Sequence, residues 1–427
     1  MRTRFFHLAD IHLGYEQYQS EQRYNDFYFS FRRAVDDALR ERVDFVIIAG
    51  DLFHQRAISP KTLNLATVEL ERLRAASIPV VAVMGNHEQP HYTDKNSWLD
   101  YLACRGLLNL LNGTQAGGQT LQFTPCHNSV GGFIDIGDSR IYGLAYYGAS
   151  APQLISEAAK NLANQTDRRP FTILVTHAGL DNIIPNFAAN LHMEELAALR
   201  PYVNYVALGH IHKPFEKDGW IFNPGSLEPV NITEAEYRGG GYLVEVDTER
   251  EPSIRVEPRR YAKRPFLRRS LVVTGFETPN EVYAGVKRLL SAEQKPEPPP
   301  VVELSLEGTL QFDPRELTKS QLQEMIVSEW VAIVALVNIV ALLPEFATNP
   351  NGSREWSRAD LERQVMADLV AKDSQYREQA GQWAALFLEM KQLAVEKNSP
   401  ETIIEHLSAG AQRIAKQVER GHADSTR

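Results

Sequence analysis

Through about residue 250, short β-branched hydrophobic runs alternate with longer stretches that mix hydrophobic and charged residues at helical spacing. The short runs predict buried strands and the stretches between them predict helices, a pattern typical of layered α/β architecture. The predicted strands are RFFHLAD, DFVIIAGDLF, IPVVAVMGNHE, RIYGLAYY, FTILVTHAGL and YVALGHIHKP, with WIFNPGS and GGYLVEVD extending or completing a second sheet. The predicted helices cover residues 25–42, 60–76, 97–108, 151–164 and 193–199.

The pattern changes after residue 260. Residues 267–310 predict a strand, a helix, a proline-rich turn and a second strand, and residues 317–343 add one more helix and strand. The segment TNPNGSR predicts a break, and beyond it hydrophobic residues recur at helical spacing with no predicted strand. The predicted domains are residues 1–260, a small α+β domain at 265–345 and a helical tail at 355–420. Packing of the tail on its own protein and docking onto a partner are equally weighted interpretations.

The composition limits the kind of protein and of metal site. With 43% hydrophobic and 23% charged residues, the chain of 427 residues is ordinary globular material for two or three domains. Its two cysteines, Cys104 and Cys126, form neither a disulfide framework nor a zinc clip, so we expect a reducing, cytoplasmic compartment and oxygen and imidazole ligands. The run Val331 to Leu343 falls short of the ~20 residues of a transmembrane helix, and no secretory signal is recognisable, so no membrane association is expected.

The total charge and the local charge pattern give opposite indications about DNA binding. A formal net charge of -9 does not favour DNA binding. Locally, however, the segment RVEPRRYAKRPFLRR is strongly basic. It is either a charged strand edge or a surface that contacts DNA phosphates, and the two interpretations have even odds. The candidate DNA-binding residues are Arg259, Arg260, Lys263 and Arg264.

Histidines are concentrated in the first half of the chain. Ten of the twelve precede Lys213, and six of those follow predicted strands beside acidic or amide residues. Because the carboxyl ends of strands form the ligand crevice of open α/β sheets, we expect these groups to converge. Asp10 with His12, and His210 with His212, are separated by one residue, so each pair projects to one side of an extended chain. The single candidates are Asp51, Asn86, His87 and His177.

These groups together predict a site for two divalent cations. A carboxylate such as Asp51 can bridge two ions, and imidazole, carboxylate and amide ligands suit manganese, iron or zinc better than calcium. Two ions roughly 3.5–4 Å apart generate hydroxide near neutral pH and stabilise both the attacking and the leaving oxygen at phosphorus. The ordered set therefore predicts a phosphoesterase, although each motif alone is weak.

The motifs resemble those of the calcineurin-like metallophosphoesterases and, within them, those of the SbcD nuclease family, bacterial relatives of the meiotic-recombination-eleven nuclease. The resemblance is carried by ADIHLG, AGDLFH, GNHE, THAG and GHIH. It implies a layered β-sandwich flanked by helices, then a small α+β capping domain and a helical C-terminal tail. It also implies two manganese ions, with iron, zinc or magnesium as alternatives.

The same resemblance implies a role for each candidate. It implies one ion held by Asp10, His12, Asp51 and His212, and a second held by Asp51, Asn86, His177 and His210. His87 is then not a ligand but stabilises the transition state or protonates the leaving oxygen, with His54 assisting near the scissile phosphate. The form GDLFH, with His54, is typical of the DNA nuclease branch.

The implied function is metal-dependent exonuclease or endonuclease cleavage of DNA, in an SbcCD-type complex for double-strand-break repair. The implied partners are DNA, the coiled-coil ATPase SbcC on the C-terminal helices, and a second copy of the chain through helices 60–76 and 97–108. One alternative is a phosphatase or cyclic-nucleotide phosphodiesterase with the same metal site. The other is a noncatalytic scaffold for an ATPase.

Overall fold

The structure is a computed structural model. It describes residues 2–90, 95–114, 121–184, 191–247, 249, 253–292, 294–341, 358–371, 376, 379–395 and 400–424. The chain forms two compact units. The first comprises Met1–Gly308 and Phe312–Ala341, and the second comprises Thr309–Gln311 and Leu342–Arg427. The predicted break at residues 348–354 lies outside the described residues.

The elements alternate along the first unit much as the hydrophobic pattern predicts. The strands are β1 (Arg2–Leu8), β2 (Phe45–Ile48), β3 (Val80–Ala82), β4 (Asn109–Leu111), β5 (Val130–Gly131), β6 (Phe133–Ile136), β7 (Ser139–Leu144), β8 (Phe171–Thr176), β9 (Tyr205–Leu208), β10 (Phe215–Lys217), β11 (Ile221–Asn223), β12 (Gly241–Asp247), β13 (Ile254–Arg259), β14 (Phe266–Val272), β15 (Val301–Glu307) and β16 (Val334–Ile339). The helices are α1 (Glu21–Glu41), α2 (Pro60–Ala75), α3 (Trp98–Cys104), α4 (Ala151–Ala163), α5 (Met193–Ala197), α6 (Pro279–Ser291), α7 (Lys319–Trp330), α8 (Arg358–Ala371), α9 (Ala380–Val395) and α10 (Pro400–Asp424).

Two sheets face each other in the first unit. One has seven strands in the order β13-β12-β1-β2-β3-β4-β5, and the other has six in the order β10-β11-β9-β8-β7-β6. The pairs β1–β2 and β2–β3 are parallel, so each needs a crossover, which α1 and α2 supply. The predicted layered α/β fold is confirmed.

Side chains that alternate along each strand build the three hydrophobic layers. In β1, Phe5 lies in the layer between the sheets, whereas Phe6 and Leu8 lie on the outer face. The inner layer contains parallel ring stacks, Phe5 on Phe45 with centroids 5.0 Å apart and Tyr205 on Phe222 at 4.4 Å. Helices α1, α2 and α3 cover the outer face of the first sheet, and α4 and α5 cover that of the second. Because successive side chains of a strand point to opposite faces, each sheet packs on the other sheet with one face and on helices with the other.

Local sequence signals define the helix limits near the functional region. Ser20 caps α1 by accepting a hydrogen bond from the backbone N–H of Arg23, and the helix stops at Arg42, whose φ of 50° is left-handed. Ser59 caps α2 and Pro60 fills its first turn. Ser97 begins α3 with a capping box.

A three-stranded parallel sheet follows the sandwich within the first unit. Its order is β14-β15-β16, and α6 and α7 pack on it. Trp330 is buried there and its indole N–H donates to the Leu290 carbonyl oxygen at 2.8 Å. The predicted domain limits stay a prediction.

The second unit contains the three C-terminal helices α8, α9 and α10. Ala384, Leu386 and Ile414 are buried. The predicted helical C-terminal region is therefore confirmed. Within the described residues, every helix is too short or too polar to cross a membrane.

Candidate metal centre

Five strands end close together, and candidate ligands follow each of them. Parallel strands β1, β2 and β3 end side by side in the first sheet, and β8 and β9 do so in the second. The backbone N–H groups of Ile11 and His12 both donate to the carbonyl oxygen of Asp51, so the loops after β1 and β2 are joined. The candidates after these strands are Asp10, His12, Asp51, Asn86, His87, His177, His210 and His212.

Asp10, His12 and His212 form one part of this site. Their ligand atoms lie within 4.8 Å of one another. His12 Nε2 lies 3.2 Å from His212 Nε2, which in turn lies 3.9 Å from Asp10 Oδ1. The Asp10 carboxylate also accepts a hydrogen bond from the backbone N–H of His210 at 3.0 Å. The loops after β1 and β9, which belong to different sheets, are thus joined at this carboxylate.

Asp51, Asn86, His177 and His210 form the other part. His177 Nε2 lies 3.2 Å from Asp51 Oδ2 and 3.1 Å from Asn86 Oδ1, and His210 Nδ1 lies 3.1 Å from the same Asn86 oxygen. His177 Nδ1 lies 2.8 Å from the Ala49 carbonyl oxygen, which only accepts, so Nδ1 carries a proton. In the neutral imidazole the Nε2 lone pair then converges with oxygen lone pairs of Asp51 and Asn86. This convergence requires a proton or a cation between them.

Burial controls the charge of these groups. It raises the pKa of Asp10, and it lowers the pKa of His12 well below its ordinary value and that of His210 to about 3. Both imidazoles are therefore neutral at neutral pH, the form that offers a lone pair to a metal. Burial would also raise the pKa of Asp51, but the neighbouring His177 outweighs it and the pKa is lowered. Burial alone would lower the pKa of His177, but the neighbouring Asp51 outweighs this effect and the pKa is raised to about 9.

The donor set fits divalent cations. Asp10 and Asp51 are 0% and 2% exposed, and two carboxylates so deeply buried are unfavourable unless positive charge compensates them. Imidazole nitrogens, carboxylate oxygens and the Asn86 amide oxygen are the ligands that manganese, iron and zinc accept.

Four candidate ligands have a left-handed backbone conformation. The φ angles of Asp10, His12, Asp51 and His210 are 51°, 53°, 55° and 81°. Each such residue costs about 1–3 kcal/mol, so the surrounding contacts must enforce it. These turns aim side chains from successive strand ends toward one point.

Two glycines leave room for the ligands. A Cβ on Gly50, whose φ is 89°, would overlap the His177 ring. A Cβ on Gly85 would overlap the Asp51 carboxylate. The motifs GD and GNH therefore require glycine for steric reasons at this site.

His54 and His87 lie beside these ligands. The His54 ring stacks on His87 at 5.1 Å and on Tyr15 at 3.7 Å between centroids. His87 Nδ1 donates to the His54 carbonyl oxygen, while its Nε2 faces Asp51 Oδ2 at 4.0 Å. The His87 side chain is 36% exposed, so it can reach a substrate. Burial lowers the pKa of His54 to about 4.

Comparison with known proteins agrees with this geometry. Residues 3–214 match the family of calcineurin-like phosphoesterases. This region is a calcineurin-like phosphoesterase domain. The resemblance that the sequence motifs carry is confirmed.

Curated relatives of the phosphoesterase domain are named DNA double-strand break repair protein Mre11. The one from Archaeoglobus fulgidus is 34% identical over 243 residues, which are 54% of this chain and 52% of that protein. The one from Methanosarcina acetivorans is 30% identical over 352 residues, which are 80% of this chain and 52% of that protein. The chain thus spans about half the length of these relatives. The solved structure of a dimetal phosphatase from Danio rerio is 15% identical to this chain. The superposition covers 57% of this chain and 92% of the phosphatase, with a TM-score of 0.36.

Two buried acids, Glu88 and Glu234, contact the backbone or side chain of candidate ligands and have no role in the sequence analysis. Glu88 accepts hydrogen bonds from the backbone N–H groups of Asp51, Phe53 and Gly85 at 2.9–3.0 Å. Glu234 contacts His212. Glu88 directly follows the GNH motif, so its position in the sequence could have indicated a role near the site. Glu234 stands in no motif, and only the structure reveals its contact.

Three of the four basic candidates make contacts within the protein. Arg259 pairs with Glu41 at 2.9 Å, and the Arg264 guanidinium donates to Asp26 at 2.6 and 2.9 Å. Burial lowers the pKa of Lys263 to about 8, and its ammonium lies 3.3 Å from the Ser226 carbonyl oxygen, whereas Arg260 is exposed. The contacts of Arg259, Lys263 and Arg264 favour a structural role for these three residues. A DNA contact of the basic segment stays a prediction.

Proposed function

We propose that this protein is a metal-dependent DNA nuclease that hydrolyses phosphodiester bonds, as the nuclease subunit of an SbcCD-type double-strand-break repair complex. The observation that carries the proposal is the convergence of Asp51 Oδ2, Asn86 Oδ1 and His177 Nε2, with both oxygens within 3.2 Å of the nitrogen. The similarity to proteins named for double-strand break repair supports DNA as the substrate.

The proposed cofactor is a pair of manganese ions. Asp10, His12, Asp51 and His212 would hold one ion, and Asp51, Asn86, His177 and His210 the other. Bound together, such ions supply hydroxide near neutral pH and neutralise charge that develops at phosphorus. Asp51 is the proposed shared ligand, because its carboxylate lies 3.2 Å from His177 Nε2 and its ligand atom lies within 4.8 Å of that of Asp10.

His87 is the proposed proton donor. Because its Nδ1–H donates to the His54 carbonyl oxygen, the proton available for transfer from a doubly protonated ring would be on Nε2, the nitrogen that faces Asp51. In that protonated form Nε2–H donates to a leaving oxygen of the phosphodiester. His54, held between the rings of Tyr15 and His87, orients His87 and assists at the phosphate.

The other parts of the chain have proposed partners as well. Helices α8, α9 and α10 are proposed to bind a coiled-coil ATPase of the SbcC type, and the small sheet β14-β15-β16 with its helices is proposed as a capping domain. Helices α2 and α3 carry exposed Val68, Trp98 and Tyr101, and we propose that they join two copies of the chain in a homodimer. The proposed compartment is the cytoplasm.

DNA cleavage by the full chain tests this function. Purified protein with Mn²⁺ is assayed on labelled double-stranded and hairpin DNA beside a small chromogenic phosphodiester, as wild type, His87→Ala and the control His127→Ala, an exposed histidine. We expect the first substitution to lower DNA cleavage about 10²–10⁴-fold while Mn²⁺ binding persists, and the control to leave both unchanged. Turnover of the small ester without cleavage of DNA contradicts the nuclease proposal and favours a phosphatase or cyclic-nucleotide phosphodiesterase.

A further inference from the structure

Glu234 contacts a candidate metal ligand without belonging to the ligand set. Its Oε1 atom lies 3.0 Å from His212 Nδ1. We propose that Glu234 is a positioning residue, which fixes the tautomer and the orientation of His212 and so tunes the affinity of one metal ion. The inference rests on the proposed two-metal function and adds a residue to it.

The geometry at His212 defines which nitrogen faces the ion. An ionised carboxylate only accepts hydrogen bonds, so Nδ1 of His212 donates to Glu234. The opposite nitrogen, Nε2, lies 3.9 Å from Asp10 Oδ1 and 3.2 Å from His12 Nε2. With the proton fixed on Nδ1, the lone pair of the neutral ring is on Nε2, on the side of Asp10 and His12. The wrong tautomer would present an N–H there and exclude a cation.

Further hydrogen bonds hold the Glu234 carboxylate in place. Its Oε1 also accepts from Asn231 Nδ2 at 2.7 Å, and its Oε2 accepts from the backbone N–H of Val230 at 2.8 Å. The side chain is only 11% exposed. Both oxygens are therefore occupied, so the carboxylate offers His212 a fixed acceptor rather than a mobile one.

The segment before Glu234 is anchored on helix α1. The Pro229 carbonyl oxygen accepts from Gln17 Nε2 at 3.1 Å and from Arg23 Nη2 at 3.3 Å. Glu228 accepts from Arg23 Nη1 at 3.0 Å and from the Ser30 hydroxyl at 2.5 Å. Arg23 is fully buried, so this anchor is shielded from water. The backbone that precedes Glu234 is thus held in place by buried contacts.

A carboxylate behind a metal-binding imidazole has a known physical effect. It restricts ring rotation and raises the basicity of the nitrogen that faces the metal, and loss of such a partner weakens metal binding about 10–100-fold. His177 has the Ala49 carbonyl oxygen in the equivalent position. Among the candidate ligands that the structure describes, Glu234 forms a hydrogen bond with His212, so its loss should weaken one ion and leave the other.

Calorimetric titration of the metal-free full chain with Mn²⁺ tests this role. The variants are Glu234→Ala, Glu234→Gln and the control Glu236→Ala, which removes an exposed acid two residues away. We expect Glu234→Ala to weaken one of two ions about 10–100-fold. Glu234→Gln should lose less, because the amide oxygen still accepts from His212 Nδ1 or from Val230. The control should bind like wild type.

Nitrogen-15 NMR of the zinc-loaded protein gives a second readout that a merely structural role would not change. In wild type the His212 Nδ1 should carry a proton and Nε2 should be the metal-bound nitrogen, whereas Glu234→Ala should lose this single state. Unchanged affinity at both ions in Glu234→Ala overturns the role. An equal loss at both ions with a lower melting temperature of the metal-free protein also overturns it. If wild type binds no Mn²⁺, the proposed function is overturned as well. If wild type binds two ions and the variants bind them with the same affinities, only the role of Glu234 is overturned.

Discussion

The Oε2 atom of Glu88 lies 3.0 Å from the backbone nitrogen of Asp51 and accepts its N–H. The same oxygen accepts from Gly85, and Oε1 accepts from Phe53 at 2.9 Å. One buried carboxylate thus joins the loop after β2 to the loop after β3, and both loops carry candidate ligands.

Replacing Glu88 should therefore destabilise the fold. We expect Glu88→Ala to lower the free energy of unfolding of the metal-free protein by about 1–3 kcal/mol for each buried N–H left without an acceptor. Urea unfolding measures this. Glu71→Ala, which removes an exposed acid on α2, should change it by less than about 1 kcal/mol. Equal stability of the two variants would contradict the assigned contacts.

His7 should make the fold sensitive to acid. It is fully buried, Nε2 donates to the Leu208 carbonyl oxygen at 3.1 Å, and Nδ1 accepts from the Tyr205 hydroxyl at 3.0 Å. Burial lowers its pKa from 6.5 to about 3, so the unfolded chain takes up this proton first as the pH falls. The free energy of unfolding should therefore decrease between pH 6.5 and pH 3, by up to about 1.4 kcal/mol per pH unit, and this contribution is absent above pH 6.5.

Urea unfolding at pH 7 and pH 5 checks the His7 prediction. His7→Gln should be less stable than wild type at pH 7 but should lose less stability on acidification, because the amide does not titrate. His127→Gln, at an exposed position, should keep the wild-type pH dependence. A His7→Gln protein whose stability falls with pH as steeply as that of wild type would refute the assignment.

Gly50 should be irreplaceable for steric reasons. In Gly50→Ala the new methyl group meets the His177 ring, so we expect Mn²⁺ binding to be lost and the melting temperature to fall. Gly137→Ala is the matched control, because Gly137 also has a positive φ, 57°, but a Cβ there meets no atom within 4 Å. The control should lose only about 1 kcal/mol and bind Mn²⁺ normally. Normal Mn²⁺ binding by Gly50→Ala would be inconsistent with the site geometry.

Arg264 should contribute to stability through its pair with Asp26. The two side chains are 10% and 17% exposed, and Arg264 also donates to the Pro299 carbonyl oxygen at 2.6 Å. We expect Arg264→Ala to lower the free energy of unfolding by about 1–3 kcal/mol, against no more than about 0.5 kcal/mol for Arg260→Ala at an exposed position. Thermal unfolding compares them, and a larger effect of Arg260→Ala would reverse this interpretation.

The sequence predicts the strands that carry the ligands better than the rest of the sheets. The runs around β1, β2, β8 and β9 contain clusters of aromatic and aliphatic residues, so their burial is evident from the pattern. The run IPVVAVMGNHE forms only the three-residue strand β3, because the chain leaves the sheet to bring Asn86 and His87 to the site. Helix α3 is shorter than predicted and ends at Cys104, and β4 follows it. Strands of two or three residues such as β4 and β5 are too short to show a period.

Part of the candidate site could likewise be predicted from the sequence and part could not. Asp51 and His177 could be proposed from sequence because strand ends converge in any sheet of this kind. The supporting contacts of Glu88 and Glu234 depend on where loops meet. His212 and Glu234 are separated by 22 positions with no motif between them, so no local pattern predicts their hydrogen bond.

The inner aromatic layer has a consequence for the separation of the candidate ligands. Asp10, Asp51 and Asn86 follow strands of one sheet, whereas His177 and His210 follow strands of the other. The aromatic rings packed between the two sheets therefore help to set how far apart these strand ends lie. A change in the size of one of these rings should alter the geometry of the candidate site without replacing any of its side chains.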